Sequence, residues 1–576
     1  MTANQQTDTT GSEPVLPFGA ARPKISRREH AAWLTGPVDV AVDGASGLGV
    51  LTYHVPTGMR VRSGDAVGVP FGKTTRHGMV AGDAGDPSKA VKDITEVFGT
   101  RADPSDVALA RTISTYHFAN LATVLSRLSP TTGGRGAQPI VDQTVTLTVP
   151  PAVIPQATTR RRILAVSPHV SPEKVAAAEA ARLAAHGQVL ILTPNAATVQ
   201  KVCDEFASGA QRLDSKAPRG AWKGFVEGTV TVGVGGRGAA LYASDNLAGI
   251  IVLDPSNPGH REARQPRTHT RDVASARSRS RNVSFTIVTA NPGPSDMWAV
   301  NNQVDHVDGS WPTFVVANRA EASLGPGEVL IPPNMRSALR AGARRNGTCV
   351  VVASRTRSVR RCVVCASIQA CTHDTCPGGS LCRHEQANAC TVCQKREGVK
   401  LSGWDKPRLS DLFGKSVKVV SATDLVKVRD VDVVVIFDID ATTHNVGWFP
   451  EVAKARLSML AAAATKPGGT VVIGTSSGKD EAIRDIVARH DPVSSARRAL
   501  TTAKEHHLPP FGRVVDVTVT RKSAPDVSNW PGVVSGPTQR GKDWILSVAI
   551  SNDRLLSLSQ PIMALRKRSK TSTLVQ

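Results

Sequence analysis

The N-terminal part of the chain alternates apolar and polar positions with a period of two. Short runs of this kind, separated by glycines, fill residues 38–82. A period of two places successive side chains on opposite faces of a strand, so this stretch predicts a small antiparallel β-sheet or barrel. From 105 to 128 the apolar residues, among them Leu109, Ile113 and Leu121, instead recur at helical spacing and predict a helix.

From about residue 160 short apolar runs alternate with helical stretches. The runs are RRILAVSP, GQVLILTP, GTVTVGVG, LAGIIVLD and VSFTIVTA. A second series starts near 347 with GTCVVVAS and continues with KSVKVVSA, VDVVVIFD and GGTVVIGT. Apolar strands separated by helices are typical of parallel α/β sheets that are covered on both faces. We therefore predict two α/β lobes.

With 576 residues the chain is long enough for three or four domains. The low-complexity stretch PTTGGRGAQP indicates a boundary near residue 135. The expected order is a disordered basic arm at 1–35, a β-rich domain at 36–135, a first α/β lobe at 136–345, a second α/β lobe at 346–500 with a cysteine-rich insertion at 360–395, and a small α+β domain at 501–576.

The charge of the chain indicates a polyanionic partner. The formal net charge is +22 at pH 7, and lysines and arginines that neutralise phosphates gain affinity by releasing condensed counterions. Candidate DNA contacts in the β-rich domain are Arg60, Arg62, Lys73 and Arg76. The alternative for each of them is a solvated surface charge.

Membrane association is not expected. The N-terminus has no basic segment followed by an apolar run, so we predict no signal peptide. No apolar run reaches the length of about 18 residues that spans a bilayer.

Seven of the nine cysteines lie between residues 361 and 395, in a segment that opens and closes with C-x-x-C pairs. They are Cys362, Cys365, Cys371, Cys376, Cys382, Cys390 and Cys393. Thiolates at this density predict one or two structural Zn²⁺ ions, the second site being completed by His373 or His384. A disulfide-rich secreted module is the alternative, but nothing else in the chain is typical of a secreted protein.

No segment satisfies the phosphate-binding pattern G-x-x-x-x-G-K-[ST]. The stretch from Gly68 to Thr74 is one residue short and lies in the predicted β-domain. The stretch from Gly474 to Asp480 follows a strand and precedes a helix, but it is also one residue short. The stretch that ends in Gly414-Lys415-Ser416 has Leu409 at the position of the first glycine.

A rival nucleotide motif is the G-x-G-x-x-G sequence at 233–238, with Asp254 ending the next strand. This arrangement is typical of dinucleotide binding when the motif opens a βαβ unit. Here the motif follows at least two strands, and the segment after it is short for a crossover helix. Cys203 and Cys349 are isolated thiols in apolar surroundings, so we expect core residues and no nucleophile.

Several segments, in the same order, resemble the PriA family of primosomal replication-restart proteins. LTYHVP and VGVPFGKTTRHGMV are similar to that family's N-terminal domain, and VTVGVGGRGAALYASDNLAGIIVLDPSN is similar to its first helicase lobe. RTHTRDVA, the spacing C-x2-C-x5-C and EHHLPPF resemble further family motifs. The resemblance implies an N-terminal DNA-binding domain, two RecA-like lobes with a zinc insertion, and a C-terminal domain.

The departures from the family pattern concern its ATPase parts. AVSPHVSPEK replaces the P-loop near 165–174, Asp254-Pro-Ser-Asn replaces D-E-x-H, and residues 460–467 lack the family's arginines. These parts position and neutralise the transferred phosphate, so the resemblance implies a helicase-deficient protein of the actinobacterial type in which ATP hydrolysis is not expected and ATP is a doubtful cofactor. In addition, Thr52 replaces the family aspartate that reads a DNA 3′ end, and Asp374 replaces a zinc cysteine.

The resemblance implies a cytoplasmic, nucleoid-associated protein that binds forked or single-stranded DNA at stalled replication forks. Its expected partners are other primosome or helicase-loading proteins and single-stranded-DNA-binding protein. One alternative is an active ATP-dependent 3′→5′ helicase that uses a nucleotide site near Ser477–Lys479. Another is a zinc-stabilised structural subunit whose charge serves RNA.

Overall fold

The computed structural model describes residues 32–128, 144–148, 152–218, 220–226, 228–242, 244, 246–318, 331–354, 358–362, 368–370, 398–402, 406–413, 417–443, 446–477 and 479–575. Four units of secondary structure follow one another in these residues. None of the helices in the described ranges is long and apolar enough to cross a bilayer.

The first unit is the antiparallel sheet predicted from the period-two pattern. It contains β1 (Val38–Val42), β2 (Leu51–Tyr53), β3 (Asp65–Phe71), β4 (Thr74–Asp83) and β5 (Glu96–Thr100), in the order β2-β1-β4-β3-β5. Two helices follow, α1 (Pro104–Tyr116) and α2 (Leu121–Leu125). The predicted single helix is therefore divided, at Phe118, which has a φ of 50° and cannot continue a right-handed helix.

The second unit is a seven-stranded parallel sheet covered by helices. Its elements are β6 (Thr146–Leu147), β7 (Arg161–Val166), α3 (Pro172–Ala184), β8 (Gln188–Leu192), α4 (Ala196–Asp204), β9 (Phe206–Ser208), β10 (Ala210–Arg212), α5 (Ala221–Val226), β11 (Val232–Gly235), β12 (Leu247–Leu253), α6 (Thr270–Arg281), β13 (Ser284–Thr289), α7 (Pro294–Ala299) and β14 (Val304–Val307). The sheet order is β10-β11-β8-β12-β13-β7-β14. Its central strands are buried on both faces, which explains their uninterrupted apolar sequences.

The third unit is a five-stranded parallel sheet with the order β15-β22-β21-β16-β20. Its elements are β15 (Thr313–Asn318), α8 (Pro333–Arg344), β16 (Cys349–Ala353), β17 (Ser358–Cys362), β18 (Ile368–Ala370), β19 (Gly398–Ser402), α9 (Lys406–Phe413), β20 (Lys418–Ser421), β21 (Val431–Ile436), α10 (Ile439–Thr443), α11 (Pro450–Ala464), β22 (Thr465–Thr475), α12 (Glu481–Arg489) and α13 (Val493–Glu505). Strands β17 to β19 form a separate three-stranded antiparallel insertion.

The second parallel sheet begins earlier in the chain than the sequence pattern indicated. Strand β15 pairs along its whole length with β22, so residues from 313 onwards already belong to the second sheet. The strand is short and only partly buried, and its partner lies about 150 residues later in the sequence. Local pattern could not place it.

The fourth unit is an α+β C-terminal sheet, as the sequence predicted. It contains β23 (Gly512–Thr520), β24 (Val533–Arg540), β25 (Asp543–Ser551), α14 (Ser559–Arg568) and β26 (Lys570–Val575) in the order β24-β25-β23-β26. Its core includes Val517, Leu546 and Ile562, and Phe118 of the first unit packs into the same cluster.

Buried ion pairs join the first unit to the second. Asp106 on α1 lies 3.4 Å from Arg277 and 2.8 Å from Arg281, both on α6. Nearby, Arg127 pairs with Glu262 at 3.1 Å. Because a charge is costly to bury without its partner, these pairs favour one docked arrangement of the two units.

Candidate nucleic-acid interface

The four predicted DNA-contact residues fall into two pairs at opposite ends of β3. Arg60 and Arg62 precede the strand, whereas Lys73 and Arg76 belong to the hairpin that follows it. The seven residues of β3 lie between Arg62 and Lys73, a length of roughly 20 Å, and Arg76 lies opposite Val69 in the half of the strand nearer the hairpin. The sheet therefore presents cations at two places and not as a single cluster.

Within each pair, one cation is exposed and the other lies over an aromatic ring. Arg60 and Lys73 are exposed. The guanidinium carbon of Arg62 lies 3.8 Å from the ring centre of Trp33, and that of Arg76 lies 4.4 Å from the ring centre of Phe71. Such stacking holds each guanidinium plane against its ring.

Exposed aromatic rings add to this surface, and the sequence analysis missed them. The side chain of Trp33 is 49% exposed and that of Phe98 is 45% exposed. His77 on β4 stacks on Phe98 of β5 with ring centroids 4.5 Å apart. Exposed rings beside cations are the elements with which proteins stack the bases of unpaired nucleic acid. Only 4% of the chain is aromatic, so the occurrence of Trp33 and Phe98 in one small unit is the sequence feature that could have indicated this surface.

Thr52 faces a carboxylate on the neighbouring strand. The Thr52 hydroxyl donates to Asp39 Oδ1 at 2.9 Å, and the backbone N–H of Gly85 donates to Asp39 Oδ2 at 3.2 Å. Asp39 lies directly opposite Thr52 in the β1–β2 register. A half-buried carboxylate, that of Asp39, therefore lies beside Thr52, the position at which the resembled family has an aspartate.

In the turn after β7, at the place of the family's P-loop, backbone N–H groups donate to acceptors within the protein. The N–H of Ser167 donates to Val307 O at 3.1 Å, and the N–H of Lys174 donates to Ser171 Oγ at 3.3 Å. Pro172 opens α3 without an N–H, and Glu173 places a carboxylate in its first turn. Because an anion already occupies the positive end of the helix, this turn is poorly suited to phosphate.

The turn between β22 and α12, the site of the helicase alternative, is likewise closed by carboxylates. Asp480 accepts from the N–H groups of Ala482 and Ile483, and Asp440 accepts from the N–H of Ser476 at 2.8 Å. Lys454 bridges both carboxylates at 2.6 Å each, while Lys479 is exposed. The N–H groups of Ser476, Ala482 and Ile483 are therefore already paired with carboxylates of the chain.

The G-x-G-x-x-G sequence has a packing role. A Cβ at Gly233 would lie 2.4 Å from Leu213, and one at Gly235 would lie 2.5 Å from Ala239. A 3₁₀-helix over 237–241 follows the strand in place of the α-helix that dinucleotide binding requires. The two isolated cysteines are buried or half-buried, and burial raises the pKa of Cys349 and raises that of Cys203 to about 11, so neither is an activated thiol.

A polar cleft of about 420 Å³ lies between the two parallel sheets. It is lined by Ser167, His306, Asp308, Trp311, His490 and Asp491 among others. The Trp311 and His490 rings stack across it with centroids 4.5 Å apart. Close by, His169 of the second unit contacts Thr465 of the third at 3.2 Å. The loop after β7 thus contacts the first residue of β22 directly.

The predicted zinc ligands lie almost wholly outside the described residues. Cys365, Cys371, Cys376, Cys382, Cys390 and Cys393 are in this group, together with His373 and His384. Cys362 ends β17 and pairs with Gly398 of β19, so the cysteine segment is closed at its base by an antiparallel pair. No group of three metal-binding side chains occurs elsewhere within the described ranges.

Comparison with known proteins assigns the first unit. Residues 39–130 match the sequence model of the PriA 3′ DNA-binding domain. No curated protein is similar enough to match the chain. Among solved structures, the DUF1998 helicase MrfA bound to DNA shares 15% identity at a TM-score of 0.31, covering 59% of this chain and 49% of that one. S. cerevisiae Dbp5 bound to RNA and ADP BeF3 shares 11% identity at a TM-score of 0.29, covering 59% of this chain and 89% of Dbp5.

The present chain thus spans about half the length of MrfA. The match over 39–130 confirms the predicted likeness of the N-terminal unit to the PriA 3′ DNA-binding domain.

Proposed function

We propose that this protein recognises forked DNA at stalled replication forks and acts as a platform on which the replicative helicase is reloaded, without unwinding DNA itself. The observation that carries the proposal is the 3′ DNA-binding domain at 39–130. Its exposed cations and rings are suited to phosphates and unpaired bases respectively.

The absence of an ATP-driven step is supported by the two turns described above. Both the turn after β7 and the turn before α12 pair several backbone donors internally, and both place a carboxylate at a helix N-terminus. Asp254, where the family has D-E-x-H, accepts from the Ser256 hydroxyl at 2.7 Å, and no glutamate follows it. Phosphoryl transfer requires positioning and charge neutralisation that these parts do not offer.

The zinc module and the partners complete the proposal. We propose one or two Zn²⁺ ions held by the seven clustered cysteines, in a unit that presents a surface to primosome or helicase-loading proteins and to single-stranded-DNA-binding protein. Closed thiolate sites leave no open coordination position, so the metal is assigned a structural role.

The test is fork-binding affinity at two salt concentrations, together with ATP turnover by zinc-replete protein with and without the fork. We expect tight, salt-sensitive binding and no turnover above background. DNA-stimulated turnover that is lost in Lys479→Ala would instead establish the helicase alternative. A preference for RNA over the fork at every salt concentration would favour the structural-subunit alternative.

We further propose that Asp39 supplies the acceptor for the hydroxyl of a DNA 3′ end. Its carboxylate is half-buried, is oriented by Thr52 and Gly85, and belongs to the 3′ DNA-binding domain. Hydrogen bonds to charged groups contribute roughly 1.5–3 kcal/mol, so Asp39→Asn should weaken binding to a 3′-hydroxyl fork roughly tenfold or more. A 3′-phosphate fork should bind the two proteins equally. Equal loss on both forks would assign Asp39 to folding only.

A further inference from the structure

Helix α8 is strongly two-sided. Met335, Leu339 and Gly342 face the five-stranded sheet and are buried. The approach is close, because a Cβ at Gly342 would lie 2.6 Å from the sulfur of Cys349 on β16. The apolar face of this helix is therefore fully used in covering the sheet.

The outer face of α8 carries a row of arginines. Arg336, Arg340 and Arg344 are all exposed and follow one another at intervals of four residues. Residues at this spacing lie on the same side of a helix. Among the described residues none forms an ion pair with these three side chains, and the sequence from 332 to 348 contains no aspartate or glutamate. We call these three residues the arginine row.

Helix stability explains Arg344, a cation in the last turn, but not the arginine row as a whole. Like charges four residues apart repel each other, and Arg336 lies in the first turn, near the positive end of the helix dipole. A glutamate at an intervening position would relieve both effects, but the helix has none. A polyanion bound along this face would attract all three arginines and offset the repulsion between them.

The spacing and the position suit a nucleic-acid backbone. Four residues of helix advance about 6 Å, so the arginine row spans about 12 Å, the length of roughly three to four phosphates along one strand of a duplex. Guanidinium groups bind phosphate through two parallel N–H donors. Because α8 connects the parallel strands β15 and β16, it starts at the sheet edge where β16 ends and the chain enters the β17–β19 insertion.

We propose that the arginine row is a second DNA contact, which binds the phosphate backbone of an arm of the fork at a place separate from the 3′ DNA-binding domain. This inference rests on the proposed function, since it assigns another part of the same fork to another part of the same chain. It gives the five-stranded sheet a role in DNA binding that needs no nucleotide.

The test is a salt titration of fork binding by the full chain and by the triple variant R336Q/R340Q/R344Q. Each lost phosphate contact lowers the slope of log K against log salt by about 0.9. We expect the slope to fall by about two to three, and the affinity at about 100 mM salt to fall at least tenfold. The variant R336K/R340K/R344K keeps the charge and should retain most of the slope.

The matched control is R484Q/R497Q/K504Q, which removes the same charge from exposed positions on α12 and α13. Its slope should change by less than one contact. Thermal unfolding of both triple variants should match that of the parent protein, since all six side chains are exposed.

The outcomes separate the two proposals. Failure of the parent protein to bind the fork would overturn the proposed function. Fork binding by the parent that is equal in R336Q/R340Q/R344Q and in the control variant would overturn the arginine row as a DNA contact. The same conclusion would hold if the variant kept its fork affinity but lost affinity for polyglutamate, which would assign the row to an acidic protein partner.

Discussion

Arg62 and Arg76 show how aromatic rings order two of the cations in the N-terminal unit. Each guanidinium is held over a ring, at 3.8 Å from Trp33 and 4.4 Å from Phe71. A cation over a ring at an exposed site contributes roughly 0.5–1 kcal/mol. The larger effect is on binding, because a side chain that is already ordered loses less rotamer entropy when it contacts phosphate.

Lys73 allows the phosphate contribution of one residue to be measured. It is exposed at the tip of the β3–β4 hairpin, so Lys73→Gln should weaken binding equally for all DNA sequences and lower the salt slope by about one. Lys89→Gln is the matched control, because Lys89 is exposed in the same unit but pairs with Asp86 at 3.0 Å. An unchanged slope in Lys73→Gln would remove this residue from the DNA contacts.

At the scale of elements, helix N-termini decide what the two parallel sheets can bind. In α/β sheets, ligands bind beyond the carboxyl ends of the strands, where helix N-termini point. Here α3 carries Glu173 and α12 carries Asp480 at that position. The chain's own carboxylates therefore lie where an anionic ligand would otherwise meet these two helix N-termini.

The cysteine segment is the element whose chemistry is most directly tested. Because thiolates supply the ligands, Cys365→Ser should lower the zinc content by one ion, as measured by elemental analysis of purified protein. Cys203→Ser is the control and should retain all the zinc, since Cys203 lies on α4 in the second unit. Full zinc content in Cys365→Ser, or no zinc in the parent protein, would contradict the assignment.

At the scale of the whole molecule, charged side chains buried between units hold the domains together. Asp106 and Arg277 are 2% and 1% exposed. Around α6, Arg271 pairs with Asp272 at 2.7 Å and with Asp296 at 3.0 Å. Burial alone would raise the pKa of Asp272, but the charges of Arg271 and other neighbours lower it. Such networks favour one arrangement because each charge is costly without its partner.

Removing one partner should therefore destabilise the docked arrangement. Asp106→Ala leaves Arg277 buried without its carboxylate and should lower the free energy of unfolding by about 3–5 kcal/mol, as measured by urea denaturation. Asp86→Ala removes a carboxylate from an exposed pair in the same unit and should have no measurable effect. Equal stability of the two variants would show that the buried pair does not hold the units together.

Stability should also depend on pH through His117. Burial, helped by the positive charges of Arg513 and Arg261 and opposed by Asp272, lowers the pKa of His117 to about 4. Below pH 6.5 the unfolded chain binds a proton that the folded chain does not, so the free energy of unfolding should fall, by roughly 3 kcal/mol in total, as the pH drops from 6.5 to 4.

The variant His117→Gln should flatten this dependence, whereas His186→Gln, at an exposed position, should leave it unchanged. Denaturation midpoints measured at several pH values test both expectations. A parent protein with constant stability from pH 6.5 to 4.5 would contradict the assignment.

Sequence pattern alone determined the antiparallel N-terminal sheet, the two parallel sheets and the PriA-like identity of 39–130, because strand periodicity and short motifs are local properties. It also predicted Arg60, Arg62, Lys73 and Arg76 as DNA contacts, and that role stays a prediction. Only the tertiary structure decided that these four residues divide into two pairs, that Trp33 and Phe71 support two of them, and that Asp39 faces Thr52.

The tertiary structure likewise assigned β15 to the second sheet and showed that carboxylates close both candidate phosphate turns. The physical reason is the same in each case. Strand pairing, ion pairing and stacking join residues that are distant in sequence, and their energies depend on distance and burial, which no local pattern records.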